Sequence, residues 1–445
     1  MPTLRKEVQA WRDRGYEGAS ETGRSLLRWW FVEQHLCYNA AMLHLWSAML
    51  NRHRVPLRSL LVVVLLASCL PLAFSGCGGG NSATPVHPTG NAPVPDDDET
   101  LAVVDSALDA AYTRRLNTKD HAAWQIMHGA LAFGRDFQIE AYTGDADKFE
   151  VVSAVDYALS GRPMNGWNFQ AGAPDPDSGR RGLRAILEAG SKTGQGHSDQ
   201  WLGYLSGCGL TPDQTIVVAD RTYNIEDLIS QTELDVPRNV EREYSWTLMG
   251  LSVYRPSDYE WVASDGQWWS VERLVEIELE HELASSACGG THRMVGLTMA
   301  LNRHLADLKE MQERGEGQFE LEGVWKQVDD RVKQCIDDAH RNQNADGSFS
   351  SNYFQRGGVT RDLTQSLGTT GHVLEFLALA MTEEQLREPW VRRSALHLST
   401  LLENTKDVPL ECGALYHGAH GLVLYRERIF GPRSYRSTRQ LTTDN

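Results

Sequence analysis

A chain of 445 residues with 41% hydrophobic residues and 13 Trp can bury a large core. Its net charge is −16, and residues 78–445 carry 34 Lys/Arg against 54 Asp/Glu. So acidic a surface disfavours nucleic acid, whose phosphates need Lys/Arg to displace their counterions, and disfavours an anionic polysaccharide unless one cleft is locally basic.

The first organised signal lies well inside the chain. Arg52, Arg54 and Arg58 form a basic stretch without an acid, and an apolar run follows from Leu60 to Phe74, broken by Ser68 and Pro71. That is the length of a signal-peptide core and falls short of the ~20 apolar residues of a membrane-spanning helix. The run ends at Cys77 before three glycines, in the manner of a bacterial lipoprotein signal, and Cys69 after Leu66-Ala67-Ser68 competes for the lipid. The reading is a signal over residues 49–77 with Cys77 favoured for lipidation, a membrane attachment and a place in the cell envelope. A plainly cleaved signal would instead make the protein secreted or periplasmic. Met49-Leu50-Asn51-Arg52 makes a normal signal-peptide start, so residues 1–48 read as a mis-annotated or disordered extension. The competing reading is a real cytoplasmic extension with residues 60–74 inserted in the membrane.

Residues 78–99 are rich in Gly, Pro, Ser and Asp, with no apolar period, and read as a solvated tether. Beyond it two kinds of helical pattern alternate. Leu101–Arg114, Gly182–Ala189, Ile225–Gln231, Val271–Leu283, Val324–Arg341 and Leu386–Glu403 are amphipathic with charged faces. Ala122–Phe133, Asp199–Leu205, Ser245–Val253, Thr291–Leu301, Gly371–Met381 and Gly413–Tyr425 are apolar nearly all round, with Gly and small residues. Helices apolar all round must be enclosed, and amphipathic ones must face water on one side. An all-α ring of six hairpins, an (α/α)6 toroid over residues 100–430, satisfies both demands. Residues 431–445 read as a polar, disordered tail.

A repeat supports this. Asp265-Gly266-Gln267-Trp268 precedes Thr291-His292, and Asp346-Gly347-Ser348-Phe349 precedes Gly371-His372; the turns lie 81 residues apart and the histidines 80. A looser copy has Asn165-Gly166-Trp167 and then Gly196-His197. A sustained period indicates repeated units that bury their apolar faces against neighbours. The element Gln343-Asn344-Ala345-Asp346-Gly347-Ser348-Phe349 resembles the Gln-x-x-Asp-Gly-x-Trp/Phe turns of the terpenoid cyclase and protein prenyltransferase superfamily, as does Asp265-Gly266-Gln267-Trp268. The resemblance implies the toroid and no particular activity, because such folds host many chemistries. The acidic Asp-x-Asp-Asp cluster of squalene-cyclizing relatives is missing from the helical region; Asp96-Asp97-Asp98 falls in the tether.

Several enclosed segments begin with or soon reach a histidine: His121 and His128, His197, His292, His372, and His417 with His420. Parallel enclosed helices would gather His197, His292 and His372 at one mouth, where helix N-termini also offer unpaired N–H groups. Each histidine alone is as well explained by a hydrogen bond at a helix start. Cys288 precedes His292 by four residues and Cys412 precedes His417 by five, and thiolate with imidazole is a natural zinc set. The segment from Cys412 through His417 and His420 is similar to the His-Gly and Cys-His-Gly segments of lanthionine-cyclase-like toroids, which implies zinc at the mouth, although that family's ligand spacing differs. Disulfides or inert thiols among Cys208, Cys288, Cys335 and Cys412 are the other readings. For a glycan hydrolase the carboxylate candidates are Asp199, Glu243 and Glu375, the last on one helical face with His372. For a lyase, Tyr244 or Tyr416 would be the acid, His292 or His372 the base and Arg293 the carboxylate clamp. Trp124, Trp201, Trp246, Trp268 and Trp269 are candidate sugar-stacking rings or plain core. The functional expectation is a His-lined toroid acting on an extracytoplasmic carbohydrate or peptide. The alternatives are a zinc-dependent toroid enzyme and a non-catalytic binding or scaffold protein.

Overall fold

The acidic run at residues 96–98 opens the first helix rather than ending a tether. The Asp96 carboxylate accepts the Glu99 N–H at 3.0 Å, and α1 spans Asp97–Tyr112 with three acids in its first turn, where the helix dipole favours them. Asp97 is also tied to Arg387 and Arg392. The computed structural model describes residues 95–145, 148–174, 181–317 and 320–435. All of these lie within residues 86–445. The expected extension, the export signal with Cys69 and Cys77, and most of the tether fall outside the described residues.

The described chain is mostly helical, with small sheets. In chain order α1 is followed by α2 (Ala123–Phe133), α3 (Ala154–Leu159), α4 (Gln200–Ser206), α5 (Ile225–Asp235) and α6 (Ser245–Tyr254). Then come α7 (Val271–Glu280), α8 (Thr291–Glu313), α9 (Gly323–Arg341), α10 (Leu363–Ala380), the short α11 (Glu383–Leu386), α12 (Pro389–Asn404) and α13 (Cys412–Phe430). Two burial patterns separate these helices. In α9 only Val324, Trp325, Val328, Val332, Cys335 and Ala339 are buried, a single stripe at helical spacing. In α10 burial is continuous from Thr369 to Ala378. Each helix of the enclosed kind packs on the next in sequence: α2 on α4, α4 on α6, α6 on α8, α8 on α10, α10 on α13, and α13 again on α2.

Small residues set how closely these helices approach. A Cβ added to Gly371 on α10 would lie 2.5 Å from the Gly418 nitrogen of α13, and one on Gly421 would lie 2.8 Å from the Gly371 carbonyl oxygen. A Cβ on Gly296 of α8 would lie 2.6 Å from the Ser245 carbonyl oxygen of α6. Between neighbouring helices Glu278 of α7 acts as a clamp. Its carboxylate accepts the Tyr244 N–H at 2.6 Å and the Ser245 hydroxyl at 2.9 Å, and faces Arg293 Nη1 of α8 at 2.7 Å.

Several expectations fail for identifiable reasons. Gly182–Ala189 is not a helix. Arg181–Ala185 forms β4, antiparallel to β3 (Phe169–Pro174) with a bulge, and α3 takes the place in the helix alternation. Three further two-stranded hairpins accompany it: β1 (Gln138–Tyr142) with β2 (Phe149–Ser153), β5 (Thr215–Val218) with β6 (Arg221–Asn224), and β7 (Glu260–Val262) with β8 (Trp268–Ser270). A strictly all-α chain is therefore too simple. The two Asp-Gly turns both hold glycine in the left-handed region, at φ 72° and 89°, but occupy different places. Asp265-Gly266 closes the β7–β8 hairpin ahead of α7, whereas Asp346-Gly347 follows α9, so their 81-residue separation does not mark equivalent positions. The chain also remains packed to Tyr435, which is buried against Tyr112 and Phe133, while Arg433 pairs with Asp109. The rest of the expected tail falls outside the described residues.

The Gly371→Ala variant is expected to lose stability by about 1–3 kcal/mol or more, because the new methyl meets helix backbone rather than a movable side chain. Chemical denaturation measures this, and an unchanged midpoint would contradict the close approach of α10 and α13.

Candidate functional site

Three helices and one loop bring the chemistry together. Gly290, at φ 86°, turns the chain into α8, so that His292 is the second residue of that helix. His372 does not open its helix. The Asp362 carboxylate caps α10 by accepting the Thr364 and Gln365 N–H groups, so the helix starts nine residues before it. His417 and His420 sit one and two turns inside α13. His197 lies just ahead of α4.

Glu375 organises this group. Its carboxylate meets the Nδ1 atoms of three imidazoles: His372 at 3.1 Å, His417 at 2.8 Å and His420 at 2.8 Å. With Nδ1 engaged, Nε2 of each ring is left for other work. Burial tends to raise the Glu375 carboxyl, yet His417, His372 and His420 outweigh it and hold it well below the usual carboxylate range. Burial pushes His372 down, but Cys288 and Glu375 overcome that and raise it to about 10. Burial and His372 push His417 down to about 4 despite Glu375. With rings only 3.7 Å apart, one of these two imidazoles carries the proton.

His292 lies at the centre. Its ring is 5.2 Å from that of His197, 5.0 Å from His372 and 6.0 Å from His417 between centroids, with Trp246 at 4.9 Å. Burial and the neighbouring imidazoles hold it well below its usual value, so it is neutral. Neither of its ring nitrogens has a hydrogen-bond partner among the described residues, although both are fully buried. An unpaired buried polar atom costs ~1–3 kcal/mol, so both nitrogens of this ring would gain from a water, a ligand or an ion.

Cys288 completes one ligand set. It stands in the left-handed region at φ 48°, as does Tyr353 at φ 54°, whose ring packs on Gly289. Such strain in non-glycine residues costs ~1–3 kcal/mol each and tends to be kept where function requires it. The donor atoms of Cys288, His292 and His372 lie within 4.8 Å of one another. Those of His197, Glu243 and His292, and of His372, Glu375 and His417, do so as well. On the first of these sets a thiolate and two imidazoles fit a borderline-soft divalent ion, and Glu375 behind His372 supplies the carboxylate partner that metal-bound histidines usually have.

Two cavities flank the imidazoles. One, of about 340 Å³, is lined by Trp124, Lys192, His197, Cys288, Tyr353 and His372 among others, together with His128, His292 and His417. The other, about 170 Å³, is largely apolar, with Leu131, Met249, Val295, Met299, Leu379 and Leu424, and also contains His292, Glu375, His417 and His420. A larger cleft of about 550 Å³ near β4, β5 and β6 is lined by Arg181, Arg221 and Asp227 and contains no histidine or cysteine. Compared with protein-family models, curated proteins and solved structures, the chain has no significant match.

Other sequence candidates stand elsewhere. Tyr244 donates its hydroxyl to the Val236 carbonyl at 2.9 Å and is buried away from both cavities. Arg293 is committed to Glu278 and to Ser286 at 2.7 Å. Tyr416 packs on Phe133 and Phe137 and lines neither cavity. Cys412 is buried near Arg114 and Glu411, its thiol pushed up to about 11 by burial, and among the described residues it falls in no metal-ligating group with a histidine. Among the described residues no disulfide is formed: Cys208, Cys288, Cys335 and Cys412 are all free. Asp199 is held by Thr247 at 2.6 Å and Thr232 at 3.2 Å and lines a separate cleft. Of the tryptophans only Trp124 lines the larger histidine cavity, and Trp246 the smaller. His128 is satisfied, between the Trp124 carbonyl and the Tyr204 hydroxyl. Tyr353 escaped sequence reasoning because it lies in an irregular loop with no period.

Linkage gives a signed expectation for the metal-free protein. His372 is raised above its unfolded value of ~6.5, so its contribution is complete below that pH and is lost as pH rises through about 10. His417 is depressed, so its contribution is present above ~6.5 and is lost as pH falls through about 4. Glu375 acts in the same direction as His417, losing its contribution as pH falls below the carboxylate range. The denaturation midpoint should therefore peak near neutrality and fall on both sides. The His372→Ala variant should lose the alkaline limb, and a wild-type midpoint flat to pH 10 would refute this assignment.

Proposed function

We propose that the protein is an exported, lipid-anchored enzyme built as an (α/α)6 toroid, in which Cys288, His292 and His372 hold a zinc ion beside the larger cavity. The carrying observation is the convergence of one thiol and two imidazoles at His292, whose buried nitrogens have no partner among the described residues. The toroid is supported by the six enclosed helices, which pack in order with the last on the first, and by a further helix preceding each. Three protein ligands would leave a zinc ion one short of four, the donor count of catalytic rather than structural zinc.

Such an ion would polarise a carbonyl or activate water. The chain's own residues do the rest. Glu375 fixes the orientation of the His372 ring through Nδ1, Trp124 and Tyr353 form apolar walls, and Lys192 brings a positive charge to the cavity. The substrate class follows from what is missing. A two-carboxylate glycosidase mechanism needs carboxyls free to meet the sugar, whereas Glu375 is enclosed by three imidazoles, Glu243 is bonded to His197 at 3.0 Å, and Glu411 in the larger cavity is bonded to Lys192 at 3.0 Å and caps α13. The lyase set disperses with Tyr244 and Arg293. A carbonyl substrate remains, so among extracytoplasmic ligands an amide or ester in a peptide is favoured over a glycosidic bond.

The conformation of Cys288 and its bond to His372 support a second reading, in which the thiolate is itself the nucleophile and no metal is needed. Metal analysis of full-length protein separates the two. The zinc reading expects about one ion lost in Cys288→Ser and His372→Ala, with ~10–100-fold weaker binding in Glu375→Gln, whose effect comes through the ring it orients. Chelation should abolish cleavage of cell-wall peptides, and zinc should restore it. Metal-free protein that cleaves them fully, and is inactivated only by alkylation of Cys288, would favour the nucleophile. For the anchor, replacing Cys77 by Ser should abolish fatty-acid labelling; labelling that persists in Cys77→Ser but not in Cys69→Ser would move the lipid to Cys69.

A further inference from the structure

His292 belongs to two donor groups at once. One group adds Cys288 and His372 and the other adds His197 and Glu243, with the donor atoms of each group within 4.8 Å of one another. A single ion at Cys288 and His372 satisfies one nitrogen of His292. The other stays buried without a partner among the described residues. In the second group His197 is already oriented by Glu243, Nδ1 to Oε2 at 3.0 Å; it lines the larger cavity, and 26% of its side chain is accessible.

We propose that the His292 imidazole bridges two divalent cations, one held with Cys288 and His372 and the second with His197 and Glu243. This rests on the zinc site proposed above and extends it. A neutral imidazole has one lone pair, so bridging requires its N–H to be lost: the proton leaves to solvent, and each nitrogen then donates a pair to one ion. The two donor sets differ in kind, thiolate with imidazoles against carboxylate with imidazoles, and this allows the ions to be told apart. Ions on opposite nitrogens of a ring stand farther apart than the ~3.5–4 Å of a pair sharing one water. The second ion therefore serves as a separate positive charge beside the cavity, suited to an anionic group of the substrate.

Cobalt(II) added to metal-free full-length protein is the probe. The wild type is expected to take up two equivalents, one of them with a thiolate-to-cobalt charge-transfer band in the near ultraviolet. Glu243→Gln and His197→Ala should each take up one equivalent and keep that band, whereas Cys288→Ser should take up one without it. Circular dichroism of the metal-free variants checks that each is folded. A wild type that binds one equivalent with the band intact overturns the bridge and leaves the Cys288 site standing, as does a Glu243→Gln variant that still binds two. A wild type that binds cobalt without the band overturns both.

Discussion

The contact between α10 and α13 is the constraint on which the site depends. Gly371 faces the backbone of Gly418, and Gly421 faces that of Gly371, at separations that leave no room for a Cβ. Only at that distance does one carboxylate on α10 reach His417 and His420 on α13 while still holding His372 one turn away on its own helix. The electrostatics follow from the packing. A carboxylate taken out of water is costly unless it is paired and hydrogen-bonded, and Glu375 is given three partners. The glycines therefore do more than permit a tight fold; they bring the charges close enough to compensate each other's burial.

A second clamp works one helix pair away. Glu278 sits on an amphipathic helix yet is buried, and its two oxygens reach the start of α6 and the flank of α8. Arg293 follows His292 directly, so the ion pair that fixes Arg293 also fixes the direction in which the imidazole enters the centre. A residue that looked like a substrate clamp in sequence is thus a positioning group for its neighbour. Its basic charge is spent inside the protein.

Burial pattern was legible in the sequence, while the end of each element was not. All six enclosed segments are helices, because residues apolar on every side leave few alternatives to an interior helix. The stretch from Gly182 misled because its apolar residues are sparse enough to fit either period, and pairing with Phe169–Pro174 decided for a strand. Pairing is non-local and carries no signal in a single segment. The matched spacing of Asp265 and Asp346 was likewise accidental, since each glycine answers a local need for a left-handed turn. For the site, the histidines and the i, i+3 relation of His372 to Glu375 could be read directly. The choice of Cys288 over Cys412 could not: both precede a histidine at similar spacing. One lies on a strained turn facing the imidazoles and the other on a helix flank beside Arg114.

His292 and His417 belong to the walls of both cavities, so the same two imidazoles border the more polar recess and the largely apolar one. A ligand that fills either cavity therefore touches rings that also wall the other, and a change of charge on those rings is felt in both at once.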